Sequence, residues 1–134
     1  MKAARLEVPK KIAVRLRRIC LALPQAYEET AWTGVRWKIR QKTFAHSLII
    51  NEGWPPAYAK AAATRGPACI VTFRSRLPEV DAEVFRQFPF FKPIWWPDIV
   101  GTFIDEHTDW KHIEALLKES YRMLAPQKLA DTVT

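Results

Sequence analysis

VRWKIRQKTFAHSLII, residues 35–50, is the stretch that decides the fold. Apolar side chains at Val35, Trp37 and Ile39 alternate with the cations of Arg36 and Lys38. Successive side chains of a β-strand point to opposite faces of the sheet. The pattern therefore predicts a strand that packs one face on a core and presents positive charge on the other.

A second strand follows directly. Thr43–Ile50 is rich in β-branched and aromatic residues, which is typical of a strand. Arg40 and Gln41 then form the tip of a hairpin, although the Asn-Gly or Asp-Gly pair that favours such tips is missing. In this arrangement Arg40 leaves the strand face and becomes a cation at the tip.

Hydrophobic periodicity outside the hairpin predicts the other elements. We expect helices at Lys10–Leu23, at Ala57–Arg65 closed by Gly66, at Glu79–Phe88, and from an Asp109 cap to Leu124; strands at Tyr27–Trp32, Cys69–Arg74 and Ile99–Ile104; and a partly extended segment at Phe90–Trp96. Clustered strands with flanking helices predict an α+β fold, a two-layer sandwich in which helices cover one face of a mostly antiparallel sheet. Residues 1–9 and 129–134 are expected to be tails around a single domain, residues 10–128.

Composition and charge narrow the function classes. The 134 residues are 49% hydrophobic and 26% charged, which is an ordinary globular composition. The net charge of +7 is uneven, because residues 1–78 carry 15 Lys/Arg against 4 Asp/Glu. One face of the molecule should therefore attract anions. The sequence has no long apolar run and no apolar segment after its cationic start, so neither a membrane span nor a signal peptide is expected. Cys20 and Cys69 have no metal spacing and are predicted to be buried thiols of a cytoplasmic protein.

Three segments carry a resemblance to a known family. They are LRRICLALP at 16–24 followed by Glu28, the hairpin VRWKIRQKTFA at 35–45, and Asp109-Trp110 with SYRMLAP at 120–126. From Leu16 to Lys128 the chain resembles the MmcQ/YjbR family of small bacterial proteins. The resemblance implies a frataxin/CyaY-like α/β sandwich and DNA binding by a double-wing arrangement, and it implies no catalytic residue and no cofactor. The chain departs from the family pattern at 51–68, which is longer and richer in Ala and Pro, and at 89–97, which is unusually aromatic.

The candidate nucleic-acid contacts are cations on the hairpin and on the strand that follows it. Phosphate groups are held by Arg and Lys without reading of sequence, so we predict a non-enzymatic nucleic-acid-binding protein, with DNA the expected partner and little sequence specificity. The predicted contacts are Arg36, Lys38, Arg40, Lys42, Arg74 and Arg76. A solvated strand face is the simpler interpretation of the same charges.

Aromatic residues support an alternative. Trp54, Tyr58, Trp95 and Trp96 are expected either to stack unpaired bases or to line a pocket for a small ligand or a protein partner. No metal site is predicted, because the three histidines have no ligand spacing and the first helix has no carboxylate. Tyr121 is expected to anchor an apolar helix face, with its hydroxyl on a buried partner.

Overall fold

The computed structural model describes residues 6–76, 82–93, 95 and 97–133. A six-stranded sheet forms its centre, in the order β1-β2-β3-β4-β6-β5, with every pairing antiparallel. The strands are β1 (Tyr27–Thr30), β2 (Val35–Ile39), β3 (Lys42–Ile50), β4 (Ala68–Arg74), β5 (Phe90–Phe91) and β6 (Ile99–Phe103). The helices are α1 (Lys10–Leu21), α2 (Pro56–Ala62), α3 (Trp110–Leu124) and α4 (Gln127–Ala130). The predicted α+β fold with a sheet covered by helices is confirmed.

The hairpin tip lies where the sequence places it. Arg40 and Gln41 both have positive φ, 50° and 68°, as a two-residue tip that follows the right-handed twist of its strands requires. A bulge interrupts the β2–β3 ladder near the tip. Trp37 pairs with Ala45 and Lys38 pairs with Thr43, so Phe44 between them has no partner on β2. The bulge changes which residues of the two strands face each other from that point onward.

The main core lies between the sheet and the pair α1 and α3. Trp37 and Ile39 of the hairpin are buried there, as predicted, together with Leu16 of α1 and Leu117 of α3. Asp109 caps α3 by accepting a hydrogen bond from the backbone N–H of His112 at 3.2 Å. Burial of both predicted thiols is confirmed, since Cys20 and Cys69 are free and buried.

A second, smaller core lies on the opposite face of the sheet, which was expected to be uncovered. Leu48, Ile50 and Ile70 pack there beneath Ala62 of α2 and beside Phe91. This cluster covers only the part of the face where β3 ends and β4 begins. The candidate site lies on the rest of that face.

Two predicted helices differ from the observed elements. Part of Glu79–Phe88 lies outside the described residues, and its described part contains a single 3-10 turn, Glu83–Arg86. Phe85 fills the core there, whereas the predicted apolar-face residues Val84 and Phe88 are 44% and 77% exposed. The second helix ends at Ala62 because Ala63 adopts a left-handed conformation with φ of 53°.

Gly66 does not close that helix, although the sequence suggested it. Its φ is +81°, and a Cβ at this position would lie 1.9 Å from the Ile50 carbonyl oxygen. The glycine is therefore needed where the chain passes the end of β3.

The C-terminal residues extend the domain beyond the predicted boundary. α4 follows α3, and Val133 is 9% exposed and belongs to the main core. Arg122 donates hydrogen bonds to Glu119 and to the Val133 carbonyl oxygen, which fixes this end of the chain against α3. No helix among the described residues is long and apolar enough to cross a membrane.

Candidate nucleic-acid interface and the adjoining cleft

The strand register brings the predicted cations to one end of the sheet. β2 ends and β3 begins at the hairpin tip, where Ile39 pairs with Lys42. β4 runs antiparallel to β3 and ends beside the same tip, since Phe73 pairs with Ala45. We call this region the cationic end: Arg36, Lys38, Arg40, Lys42, Arg74 and Arg76.

Half of these cations are held by carboxylates. Glu29 of β1 accepts a hydrogen bond from Arg36 Nε at 2.8 Å and lies 3.6 Å from Lys38 Nζ. The hydrogen bond from Arg36 and the two positive charges lower the pKa of Glu29. Asp98 accepts two hydrogen bonds from Arg74 Nη1, at 3.0 and 2.9 Å. These pairs reduce the positive charge that three of the six residues present to a ligand.

The other three cations keep their charge available to solvent. Arg40, Lys42 and Arg76 are exposed. None of them forms an ion pair within the described part of the chain. Arg40 also lies close enough to Tyr121 to lower the pKa of that phenol, against the larger raising effect of burial. The available positive charge is therefore concentrated at the hairpin tip and just beyond the end of β4.

A cleft of about 410 Å³ adjoins the cationic end on the sheet face opposite α1 and α3. Arg36 and Arg74 line it, so two predicted phosphate contacts also belong to the cleft. Its other lining residues include Trp32, Thr43, His46, Tyr58, Thr72 and Trp95. Neither Glu29 nor Asp98 is part of the lining. The two predicted constellations, cationic and aromatic, thus meet in one place.

The aromatic rim is built by rings that meet edge to face. Tyr58 and Trp95 have ring centroids 5.2 Å apart at an interplanar angle of 81°. Trp54 packs on Trp32 in the same way, at 5.7 Å, and supports the rim without lining the cleft. The predicted aromatic residues therefore divide: Tyr58 and Trp95 line the cleft, Trp54 stands behind it, and Trp96 lies outside the described residues.

His46 forms part of the cleft wall in its neutral form. Burial lowers its pKa, and the nearby Arg36 charge acts in the same direction. Its Nε2 lies 2.8 Å from the Thr33 carbonyl oxygen, which can only accept, so Nε2 carries the proton. Nδ1 is then an acceptor, and the Tyr58 hydroxyl lies 3.4 Å from it. This chain of contacts orients Tyr58 on the rim.

The cationic end and the cleft both lie in a part of the chain that is similar to a known family. A family model described as YjbR matches residues 21–123. The chain belongs to the YjbR family. The matched range in this YjbR-family protein contains the whole cationic end and every lining residue of the cleft. Searches of curated proteins and of solved structures find no match.

Several site residues of this YjbR-family chain were not found from sequence. Glu29 and Asp98 were missed as counter-ions because Glu29 lies on β1 and Asp98 lies in the turn before β6, far in sequence from Arg74. Trp32 was missed as a rim residue, and His46 was examined only as a metal ligand. Alternation along β3 could have indicated which sheet face His46 lies on. Its pairing with Arg36, however, depends on the bulge. Among the described residues, no group of three or more His, Cys, Asp or Glu is placed to hold a metal ion.

Proposed function

We propose that this YjbR-family protein binds nucleic acid through phosphate groups at the cationic end of its sheet. The observation that supports the proposal is that three exposed cations without an ion pair among the described residues lie at the hairpin tip, Arg40 and Lys42, and just past the end of the neighbouring strand, Arg76. Cations that are not held by carboxylates attract phosphates most strongly, because nothing nearby offsets their charge.

The proposed role is binding without a catalytic step. Phosphate contacts fix a protein on nucleic acid but carry no sequence information. We therefore propose little sequence preference, with DNA as the expected partner. A cytoplasmic location belongs to the same proposal, and the two buried free thiols support it.

Two triple variants with equal charge change test the proposal. The first replaces the available cations: Arg40→Gln, Lys42→Gln and Arg76→Gln. The control replaces exposed lysines on helices outside the cationic end: Lys10→Gln, Lys60→Gln and Lys111→Gln. Binding of labelled duplex DNA is measured for both over a salt series.

The two triples should behave differently. Loss of three phosphate contacts lowers the magnitude of the slope of log K against log salt by about 2 to 3, because each duplex contact contributes about 0.9. The control should keep nearly the wild-type slope. Equal losses in both variants would show that net charge alone governs binding, and the cationic end would have no special role.

A second candidate function is a small-ligand or protein-binding module at the aromatic surface. The cleft favours it, because a concave site with aromatic walls and a few convergent polar groups is typical of ligand pockets. Binding of a ligand that lacks any anionic group would distinguish this candidate from nucleic-acid binding.

A further inference from the structure

The cleft continues the cationic end onto the sheet face opposite α1 and α3. Arg36 belongs to both. It pairs across the sheet with His46 of β3, which pairs with Thr72 of β4, and both of these residues also line the cleft. A nucleic-acid strand that crosses the cationic end therefore passes the mouth of the cleft. This inference rests on the proposed nucleic-acid function and concerns what enters the cleft.

The rim exposes aromatic surface that the core does not need. Trp32 is 58% exposed and Trp95 is 37% exposed, whereas Trp37 in the main core is 1% exposed. Exposed aromatic faces beside cations stack unpaired bases with little preference for sequence. Edge-to-face packing against Trp54 and Tyr58 holds these two rings in place without covering them.

The polar lining fits an anion attached to a planar ring. Glu29 accepts hydrogen bonds from Nε and Nη2 of Arg36, whereas Nη1 of that guanidinium does not donate to Glu29. Among the described residues, the lining contains two guanidinium groups, and the carboxylates that pair with them, Glu29 and Asp98, lie outside it. The hydroxyl of Thr43 adds a donor and an acceptor that suit the edge of a base or a sugar.

The dimensions of the cleft select against paired bases. A volume of about 410 Å³ is at the small end of ligand pockets. Bases stacked inside a duplex cannot reach aromatic rings that line a cleft, whereas an unpaired base can be turned out of the strand. We infer that the cleft binds one unpaired nucleotide, with the base against Trp32 and Trp95 and the phosphate against Arg36.

The test separates the contribution of the base from that of the phosphate. The probes are a short labelled oligo(dT) strand, the same strand with abasic sites in place of its bases, and a duplex. The variants are Trp32→Ala and Trp95→Ala, and the control is Phe88→Ala, which removes another exposed aromatic ring outside the cleft.

Stacking predicts a specific pattern. The wild-type protein should bind oligo(dT) more tightly than the abasic strand. Each tryptophan variant should bind oligo(dT) at least about fivefold more weakly, with unchanged binding of the abasic strand. Phe88→Ala should match the wild type for every probe. A free mononucleotide that quenches tryptophan fluorescence and competes with oligo(dT) would support the same site for a ligand not joined to a strand.

The results that overturn the inference differ from those that overturn the proposed function. Equal binding of oligo(dT), abasic strand and duplex, unaffected by either tryptophan variant, would remove the cleft from nucleic-acid binding and leave the phosphate contacts in place. Failure to bind any of the three probes at low salt would overturn both.

Discussion

Ser120→Ala is the substitution whose cost the structure defines best. The Ser120 hydroxyl is fully buried and joins α3 to two strands of the sheet. It donates a hydrogen bond to the Phe44 carbonyl oxygen at 2.6 Å and accepts one from the Arg74 backbone N–H at 2.8 Å. One hydroxyl thus satisfies two backbone groups next to the cationic end.

Alanine would leave both backbone groups without this partner. A buried donor or acceptor that loses its hydrogen bond costs roughly 1–3 kcal/mol. Because neighbouring groups can relax toward one of the two, we expect a total loss of about 2–4 kcal/mol in the free energy of unfolding. For a domain of this size that corresponds to a drop of roughly 10 °C in Tm.

Thermal and urea unfolding followed by circular dichroism measure this loss. Ser47→Ala is the matched control, because Ser47 is equally buried and its hydroxyl donates to one backbone carbonyl, that of Ile70, at 2.9 Å. It should lose only about 1 kcal/mol. A Ser120→Ala protein as stable as the Ser47→Ala protein would refute the reasoning, since the bridge between α3 and the sheet would then contribute nothing beyond one ordinary hydrogen bond.

Three further outcomes follow from burial and backbone geometry. Burial raises the pKa of Cys20 well above its usual value and that of Cys69 to about 11, so neither thiol should react with a disulfide reagent at pH 8 until the protein is unfolded. Burial lowers the pKa of His46, so the unfolded chain binds its proton more readily; stability should fall as pH drops below about 6.5, and His46→Gln should flatten this part of a stability–pH curve. Gly34 and Gly53 share a φ of +73°, but a Cβ at Gly34 would lie 2.0 Å from a backbone carbonyl oxygen, whereas one at Gly53 would meet a flexible arginine side chain at 3.0 Å. Urea unfolding should therefore show a loss of about 3 kcal/mol or more for Gly34→Ala and about 1 kcal/mol for Gly53→Ala.

The hairpin could be predicted because its sequence pattern and its burial agree. Alternation over residues 35–39 requires Trp37 and Ile39 to share a face, and a one-residue slip would expose both. The bulge could not be predicted, because it depends on a distant contact. Phe44 is the extra residue of the bulge. It is fully buried and packs edge to face on Tyr121 of α3, with ring centroids 5.5 Å apart.

The predicted helix at Glu79–Phe88 shows the opposite case. Its apolar spacing suits a helical face. However, the ring of Phe85 packs against that of Phe90, with centroids 5.2 Å apart, and holds the chain in a short turn. Tertiary packing outweighed local periodicity there. The anchoring role of Tyr121 was predictable from its helix face and is confirmed, because its hydroxyl donates to the Pro24 carbonyl oxygen at 2.6 Å.

The candidate site was predictable in its parts but not in its arrangement. The cations and most of the aromatic residues are visible in the sequence as separate groups. Their meeting depends on the strand order, which places β4 beside the hairpin, and on the bulge, which turns Arg36 toward His46. The same geometry brings Glu29 and Asp98 to three of the cations, and this was the least accessible feature from sequence.

The salt dependence of nucleic-acid binding tests the central claim most directly. Equilibrium binding of the wild-type protein to a labelled DNA duplex should weaken as salt rises, with a slope of log K against log salt of about −2 to −3 if the three available cations each neutralise one phosphate. Affinity should then fall roughly 40-fold between 50 and 200 mM salt. Absence of binding at low salt, or an affinity that does not change with salt, would contradict phosphate binding at the cationic end.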